Sequence, residues 1–317
     1  MRRFLSTVLA CAALGGGCTP ALLSRAPRDT DPVWNIPQPA AACRVDLVMG
    51  SIQIVRLYDR DGRILLATRA LAPPFQEKAY ETFEWKGDQL VAMSFYDEQF
   101  RPRRARATKH FRLHWRDGHP VQVEKLESFY ESAGETAEWK MKSRSEETTD
   151  VTWEGRQLVE IRSTRANATP VRLAYRDGQL VQVGDHRIEW KDGRIVAARW
   201  PGGSETLAYT PEGWPWTSEL REERAPNQAP RRVWWYYPDG ALKETVDQRR
   251  SYEDVHYEYD DRRRLISGGS PYPTHPGHWY TGDCPAGLEA PPRPDPVELV
   301  GGRFCFESPE RSFKRCW

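Results

Sequence analysis

The chain predicts an all-β protein, an antiparallel meander of repeated hairpins, and three observations carry that prediction. A short phrase keeps returning: an aromatic residue, one polar or proline residue, Asp-Gly, then a small apolar run. Around the copies, apolar and polar residues alternate with the period of two that a half-buried strand requires. No stretch of comparable length carries helical periodicity.

Taken in order, the copies begin with the looser Tyr58-Asp59-Arg60-Asp61-Gly62 and Trp85-Lys86-Gly87. Trp115-Arg116-Asp117-Gly118, the looser Trp153-Glu154-Gly155, Tyr175-Arg176-Asp177-Gly178, Trp190-Lys191-Asp192-Gly193 and Tyr237-Pro238-Asp239-Gly240 follow. Pro238 discriminates between two ways of using Asp-Gly. Before a two-residue type I′ turn it would sit in a strand, where it cannot donate to the ladder. A three-residue loop fits it better, with Pro238 and Asp239 right-handed, Gly240 left-handed and Tyr237 paired with Ala241. Extended to the other copies, that register sets Tyr175 opposite Gln179, Leu173 opposite Val181 and Val171 opposite Val183. It also sets Trp190 opposite Arg194 and Ile188 opposite Val196, and puts Arg172, Ala174, Leu180 and Gln182 on the wet face.

Composition bounds the partners. The 317 residues suit one large or two small domains, and 39% hydrophobic content is ordinary for a globular chain. Charged residues make up 29% of the chain yet cancel to a formal net charge of +1, which argues against nucleic acid, since that partner needs a concentrated positive field. The basic runs 101–106 and 262–264 read as solvated strand ends.

The N-terminus reads as an export signal. Arg2 and Arg3 precede the apolar run from Phe4 to Leu14, and Gly15-Gly16-Gly17-Cys18 follows; the run is too short to span a membrane. The arrangement resembles a bacterial lipoprotein signal, which implies lipidation of Cys18, with Cys11 as the alternative and a soluble secreted protein cut near Cys18 as a third reading. Thr19 after the anchor implies, by the same resemblance, an outer-membrane destination. No cofactor is expected.

Export makes the remaining cysteines interpretable. Cys43, Cys284, Cys305 and Cys316 form an even set in an oxidising compartment, with three connectivities open. Pairing Cys43 with any of the other three would fasten the two ends of the β region together. A metal reading would combine His275, His278 and Cys284, but no paired Cys-x-x-Cys accompanies them, and no metal site is expected. Organisation along the chain then has four parts: a signal peptide at 1–17, the lipidated cysteine and a Pro/Ala/Arg-rich tether at 18–42, the β domain at 43–267, and a Pro/Gly-rich, disulfide-held cap at 268–317.

Tyr236-Tyr237-Pro238-Asp239-Gly240-Ala241-Leu242, followed by Tyr257-Glu258-Tyr259-Asp260-Asp261-Arg262-Arg263-Arg264-Leu265, resembles two successive YD repeats of the Rhs type. The first half is also similar to MORN-like repeats. In the YD-repeat family the phrase Tyr-x-Tyr-Asp-x-x-Gly-Arg-Leu builds long antiparallel sheets, which in the largest members curl into hollow shells around toxic domains. Here Arg263 stands where that phrase has glycine. The resemblance covers roughly 57–266 and implies architecture; function lives in sites grafted on such scaffolds.

No nucleophile elbow, zinc-protease helix, phosphate-binding glycine loop or activated cysteine appears. Carboxylate groups such as Asp260 with Asp261, or Glu219 with Glu222 and Glu223, read as solvated turns and strand ends rather than a glycosidic pair. A non-catalytic binding or scaffold role in the envelope is therefore expected. The alternatives are a carbohydrate-active or cell-wall enzyme assembled only by the fold and, by resemblance, an accessory or immunity-like component of a repeat-toxin system. Expected partners are a membrane through the lipid anchor and an envelope protein or glycan. The residues suited to that contact are Trp214, Trp216, Trp234, Trp235 and Tyr237, with His278-Trp279-Tyr280 as a later aromatic run. Trp234 and Trp235 must point to opposite faces of their strand.

Overall fold

The computed structural model describes residues 39–49, 52–71, 77–99, 104–132, 138–165, 168–224, 231–248, 253–269, 277–291 and 293–296, with two short strands near the C-terminus. The chain is all-β, as its periodicity predicts. The first ten strands are β1 (Cys43–Met49), β2 (Ile52–Tyr58), β3 (Ile64–Leu71), β4 (Glu77–Lys86), β5 (Gln89–Gln99), β6 (Arg104–Arg116), β7 (His119–Ser132), β8 (Lys140–Glu154), β9 (Gln157–Ser163) and β10 (Val171–Arg176). The next ten are β11 (Gln179–Val183), β12 (His186–Lys191), β13 (Arg194–Trp200), β14 (Gly203–Tyr209), β15 (Pro215–Glu222), β16 (Arg231–Tyr236), β17 (Leu242–Asp247), β18 (Glu253–Tyr259), β19 (Leu265–Gly269) and β20 (Gly277–Gly282). Two dipeptide strands, β21 (Phe306–Glu307) and β22 (Lys314–Arg315), pair only with each other.

Every strand from β1 to β20 runs antiparallel to its sequence neighbours, and β20 returns to pair with β1 from Cys43↔Gly282 to Val48↔Gly277. The meander thus curls into a ring, which hides the edges a long open sheet would expose. Closure is thin in one place: among the described residues β19 meets β20 only through Ser267↔Gly277. The segment from 268 onward, expected as a cap, contributes β20 to the sheet.

Register carries one face continuously around the ring, and this inner face is apolar near the Asp-Gly turns. Val45, Ile54, Ile64, Phe83, Met93 and Phe111 form one buried cluster there, and Val151, Leu173, Val183, Ile188, Ile195 and Leu207 a second. Toward the opposite, long-loop end the inner wall turns polar, and Lys109 and Lys125 reach Glu127 at 2.9 and 2.8 Å. The outer face carries cross-strand charge pairs such as Arg172 with Glu160, Arg199 with Glu189 and Arg231 with Glu219. On β9–β16 the wall is thus apolar inside and charged outside, whereas on β2–β6 the outer face also buries Val55, Leu66, Tyr80 and the Glu98–Arg106 pair.

The turns correct the register expected for the Lys- and Arg-bearing copies. Tyr175 pairs with Leu180 and Leu173 with Val183, while Trp190 pairs with Ile195 and Ile188 with Ala198. Leu180 therefore faces the core rather than solvent. The reason is local: Asp117, Asp177 and Asp192 all take positive φ, near 50°, together with the glycine that follows each. These are two-residue type I′ turns, and Asp tolerates that conformation where Pro cannot. One residue beyond each turn, a bulge falls just before the aromatic, between Ala174 and Tyr175 for example, and keeps the aromatic inward.

The Pro-bearing copy folds as its proline requires. Gly240 N–H donates to Tyr237 O at 2.8 Å, Tyr237 N–H donates to Ala241 O at 2.8 Å, and Gly240 sits at φ 81°. A Cβ on Gly240 would also collide with the Trp214 ring and the Arg293 guanidinium. The same three-residue loop recurs at 60–62, 211–213 and 261–263. In the first and last of these, Asp59 and Asp260 each cap two backbone N–H groups and hold the guanidinium of Arg63 or Arg264 at 2.6 Å.

Candidate binding surface

The aromatic of the recurring phrase is a structural latch. Trp85, Trp115 and Trp153 each donate their indole N–H at 2.8 Å to a carbonyl at the start of the preceding hairpin's second strand, those of Ile64, Leu90 and Pro120. Tyr175 meets the Leu158 main chain, and Trp190 donates to Leu180 O at 2.7 Å. The hydroxyls of Tyr209, Tyr236, Tyr259 and Tyr280 continue the series to Ile195, Pro215, Leu242 and Leu265 at 2.5–2.7 Å. Tyr58 breaks it and donates to the Glu289 carboxylate. Burial holds the phenols of Tyr209 and Tyr236 protonated up to about 12 and raises those of Tyr259 and Tyr280 further. Each latch satisfies a carbonyl that the bulge withdraws from the ladder and ties one hairpin to the next.

Three of the five aromatics proposed for binding are committed to packing. Trp234 is 3% exposed on the inner face. Trp214 lies under the Arg293 guanidinium, 4.5 Å from its ring centroid, and packs on Tyr236. Tyr237 donates its hydroxyl to Tyr257 O at 3.1 Å and meets Tyr259 edge-on. Trp216 and Trp235 do face solvent, at 48% and 40% exposure.

These two belong to a band that the sequence indicated only in part. Trp216 is the bulged residue of β15, and Trp235 stands outward on β16 opposite Glu244. Ile266, the bulged residue of β19, and Trp279, outward on β20 opposite Asp46, are also exposed. All four lie at the level of the latches. Neighbouring strands put Trp216 and Trp235 about 5 Å apart in the sheet direction, and four strand steps put Trp279 about 19 Å from Trp235. Exposed Lys243, His256 and Glu258 stand between them. Ile266 had no aromatic signal; its exposure follows from the bulge.

A groove of about 690 Å³ lies on the outer face of β4–β8, lined by Glu84, Ser94, His110, Arg112, Glu124 and Glu146 among others. Ser94 Oγ and His110 Nδ1 are 3.0 Å apart, and burial lowers the His110 pKa from its ordinary value. Two of its carboxylates are engaged: Glu124 lies 3.0 Å from His114 Nε2 and 3.9 Å from Arg112, and Glu146 accepts from Arg144 at 2.7 Å. Of those singled out in the sequence, Glu219 binds Arg221 and Arg231 and Asp260 caps its turn.

Cys43 and Cys284 form a disulfide. Cys18, Cys305, Cys316 and His275 lie outside the described residues. The metal combination loses Cys284 to that bond, and His278 is buried on the inner face. Among the described residues no cluster of three or more His, Cys, Asp or Glu is placed to hold a metal ion. No protein-family model matches this chain, and no curated protein matches it either.

Proposed function

We propose that the protein is an exported, lipid-anchored component of the cell envelope that acts without catalysis, as a binding module whose contact surface is the outer arc from β15 to β20. The observation that carries this reading is the exposed band Trp216, Trp235, Ile266 and Trp279 on the outer face of β15–β20, beside exposed Lys243, His256 and Glu258. Aromatic residues are enriched in the cores of protein interfaces, and three of the four residues of the band are tryptophans held on paired strands. In this reading Cys18 is the lipidated residue, 19–42 the tether, and the YD-like hairpins the scaffold. In the groove on β4–β8, Glu124 and Glu146 are paired with Arg112 and Arg144 of the same sheet, which favours binding over hydrolysis.

The test is crosslinking in living cells and capture of the tagged mature chain, comparing wild type with the Trp216→Ala/Trp235→Ala double variant and with Cys18→Ser. A defined envelope protein recovered with wild type and lost with the double variant supports the reading. Equal recovery from the double variant removes the band from it, and capture of glycan alone turns the partner into a carbohydrate. Retention of Cys18→Ser in the membrane fraction refutes the anchor.

A further inference from the structure

The weakest joint of the ring coincides with its most elaborate set of side-chain contacts. Where β19 and β20 should pair along their length, Leu265 N–H donates instead to Leu288 O at 3.2 Å, on a segment that follows β20. Tyr280 donates its hydroxyl to both Leu265 O and Leu288 O, and Gly287 N–H reaches Arg262 O at 3.0 Å. Residues 283–290 therefore wedge into the seam and take over the ladder that the two strands do not make with each other.

The same segment is fastened on its other side to β1 and β2. Asp283 N–H donates to Ala42 O at 2.8 Å, and Cys284 is bonded to Cys43 at the start of β1. Glu289 makes an ion pair with Arg56 inside the ring, both side chains 4% exposed, and accepts from Tyr58. Beyond it, Arg293 reaches back to the turn after β16, donating from Nε to Gly240 O at 2.7 Å. The segment is a clasp, gripping β1–β2 on one side of the seam and the turns at 238–240 and 261–263 on the other. Only the disulfide among these attachments is covalent, and it joins residues 241 apart in sequence.

We propose that closure of the ring is oxidation-dependent: with Cys43 and Cys284 as thiols the clasp disengages, the sheet opens between β19 and β20, and the other strands stay folded. The latches from Trp85 to Tyr259 bond only to the neighbouring hairpin, whereas Tyr58 and Tyr280 donate to Glu289 and Leu288 of the clasp. An opened seam presents unpaired edges on β19 and β20, which favour association with a second chain. The redox step is thiol–disulfide exchange: a dithiol is oxidised to its own disulfide while Cys43 and Cys284 each leave as a thiol. Both cysteines are buried, so reduction proceeds through unfolding, and an oxidising compartment is what closes the ring during maturation.

The test is hydrogen exchange resolved by segment on the full mature chain in three forms: oxidised, unfolded and refolded with dithiothreitol, and Cys284→Ser. The expected result is exchange at least tenfold faster in β19, β20, β1 and residues 283–290 of the last two forms, with β4–β13 unchanged, together with concentration-dependent association. Uniform loss of protection overturns the proposal by making the disulfide a global staple. Unchanged protection at the seam, with free thiols confirmed by labelling, overturns it by making the disulfide dispensable. The refolded wild type keeps the test decisive if the serine variant does not accumulate.

Discussion

The ring has two arcs built from the same hairpin and closed by different turns. From β4 to β13 the turns have two residues, the latches are Trp85, Trp115, Trp153, Tyr175 and Trp190, and each hairpin rests on its neighbour alone. From β14 through β20 to β3 the corresponding turns have three residues, the four latches Tyr209, Tyr236, Tyr259 and Tyr280 are tyrosines, and Tyr58 in the equivalent place donates to Glu289 instead. The second arc also holds the seam, the clasp and the exposed band. A repeat that stabilises itself locally can run without outside help, whereas closing the ring requires contacts that no single hairpin supplies.

The difference breaks most visibly at the clasp. Glu289→Ala leaves Arg56 buried and uncompensated, with an expected loss of about 3–5 kcal/mol in denaturant titration. The matching change in the short-turn arc, Glu189→Ala, removes an exposed partner of Arg199 and is expected to cost less than about 1 kcal/mol. Comparable losses would show that the arcs do not differ in this way.

Next in size is the contrast between the two faces of β16. Trp234→Ala opens a hole in the inner face and is expected to lose about 3–5 kcal/mol, while Trp235→Ala is expected to stay within about 0.5 kcal/mol of wild type. If both substitutions unfold the protein, Trp235 is part of the core and the band loses its centre.

Alkali should separate the arcs without a mutation. The Tyr209 and Tyr236 phenols have folded pKa values raised to about 12 by burial, against about 10 in the unfolded chain. Their contribution is therefore intact below pH 10 and is lost as the pH rises from there through the folded value, because the unfolded chain releases protons that the folded chain keeps. Four of the five latches in the short-turn arc are indoles, which do not titrate there. Segment-resolved exchange at pH 9 and pH 11 should show the tyrosine arc loosening first; simultaneous loosening would mean the latches do not govern local stability.

Much of this was legible in residues, and the remainder had no local signal. The aromatic-x-Asp-Gly phrase located the hairpins, and Pro238 specified its own loop correctly because a proline ring fixes φ. Extending that loop to Asp177 and Asp192 failed, since Arg176 and Lys191 lack the constraint and Asp-Gly then takes the tighter turn. The latches were readable in principle: every one is Trp or Tyr, and none is Phe although the chain has 10. That choice makes sense only if the ring must donate a hydrogen bond. Closure of β20 on β1 was not readable, because it depends on a register between segments more than two hundred residues apart, and Cys43 had three possible partners. The band was legible where Trp216 and Trp235 stood in aromatic runs, while Trp214 and Tyr237 stood in the same runs and turned inward.

The smallest effect compares two copies of one turn within the wide-turn arc. Asp59 to Arg63 and Asp260 to Arg264 share the same aspartate cap and the same arginine grip, but the left-handed position holds Gly62 at φ 73° in one and Arg263 at φ 60° in the other. A residue with a Cβ costs about 1–2 kcal/mol in that conformation. Glycine loses about 0.5–1 kcal/mol of that advantage to its freedom in the unfolded chain. Arg263 also pairs with Asp239 at the neighbouring turn, but both side chains are half-exposed, so that contact offsets only a few tenths of a kcal/mol. Arg263→Gly is therefore expected to stabilise the protein by about 0.5 kcal/mol, and Gly62→Arg to destabilise it by more, because Gly62 is buried. Denaturant midpoints of the two variants measure the comparison. A loss from Arg263→Gly would mean that the Asp239 contact between adjacent turns, rather than the backbone of its own turn, is what holds Arg263 in place.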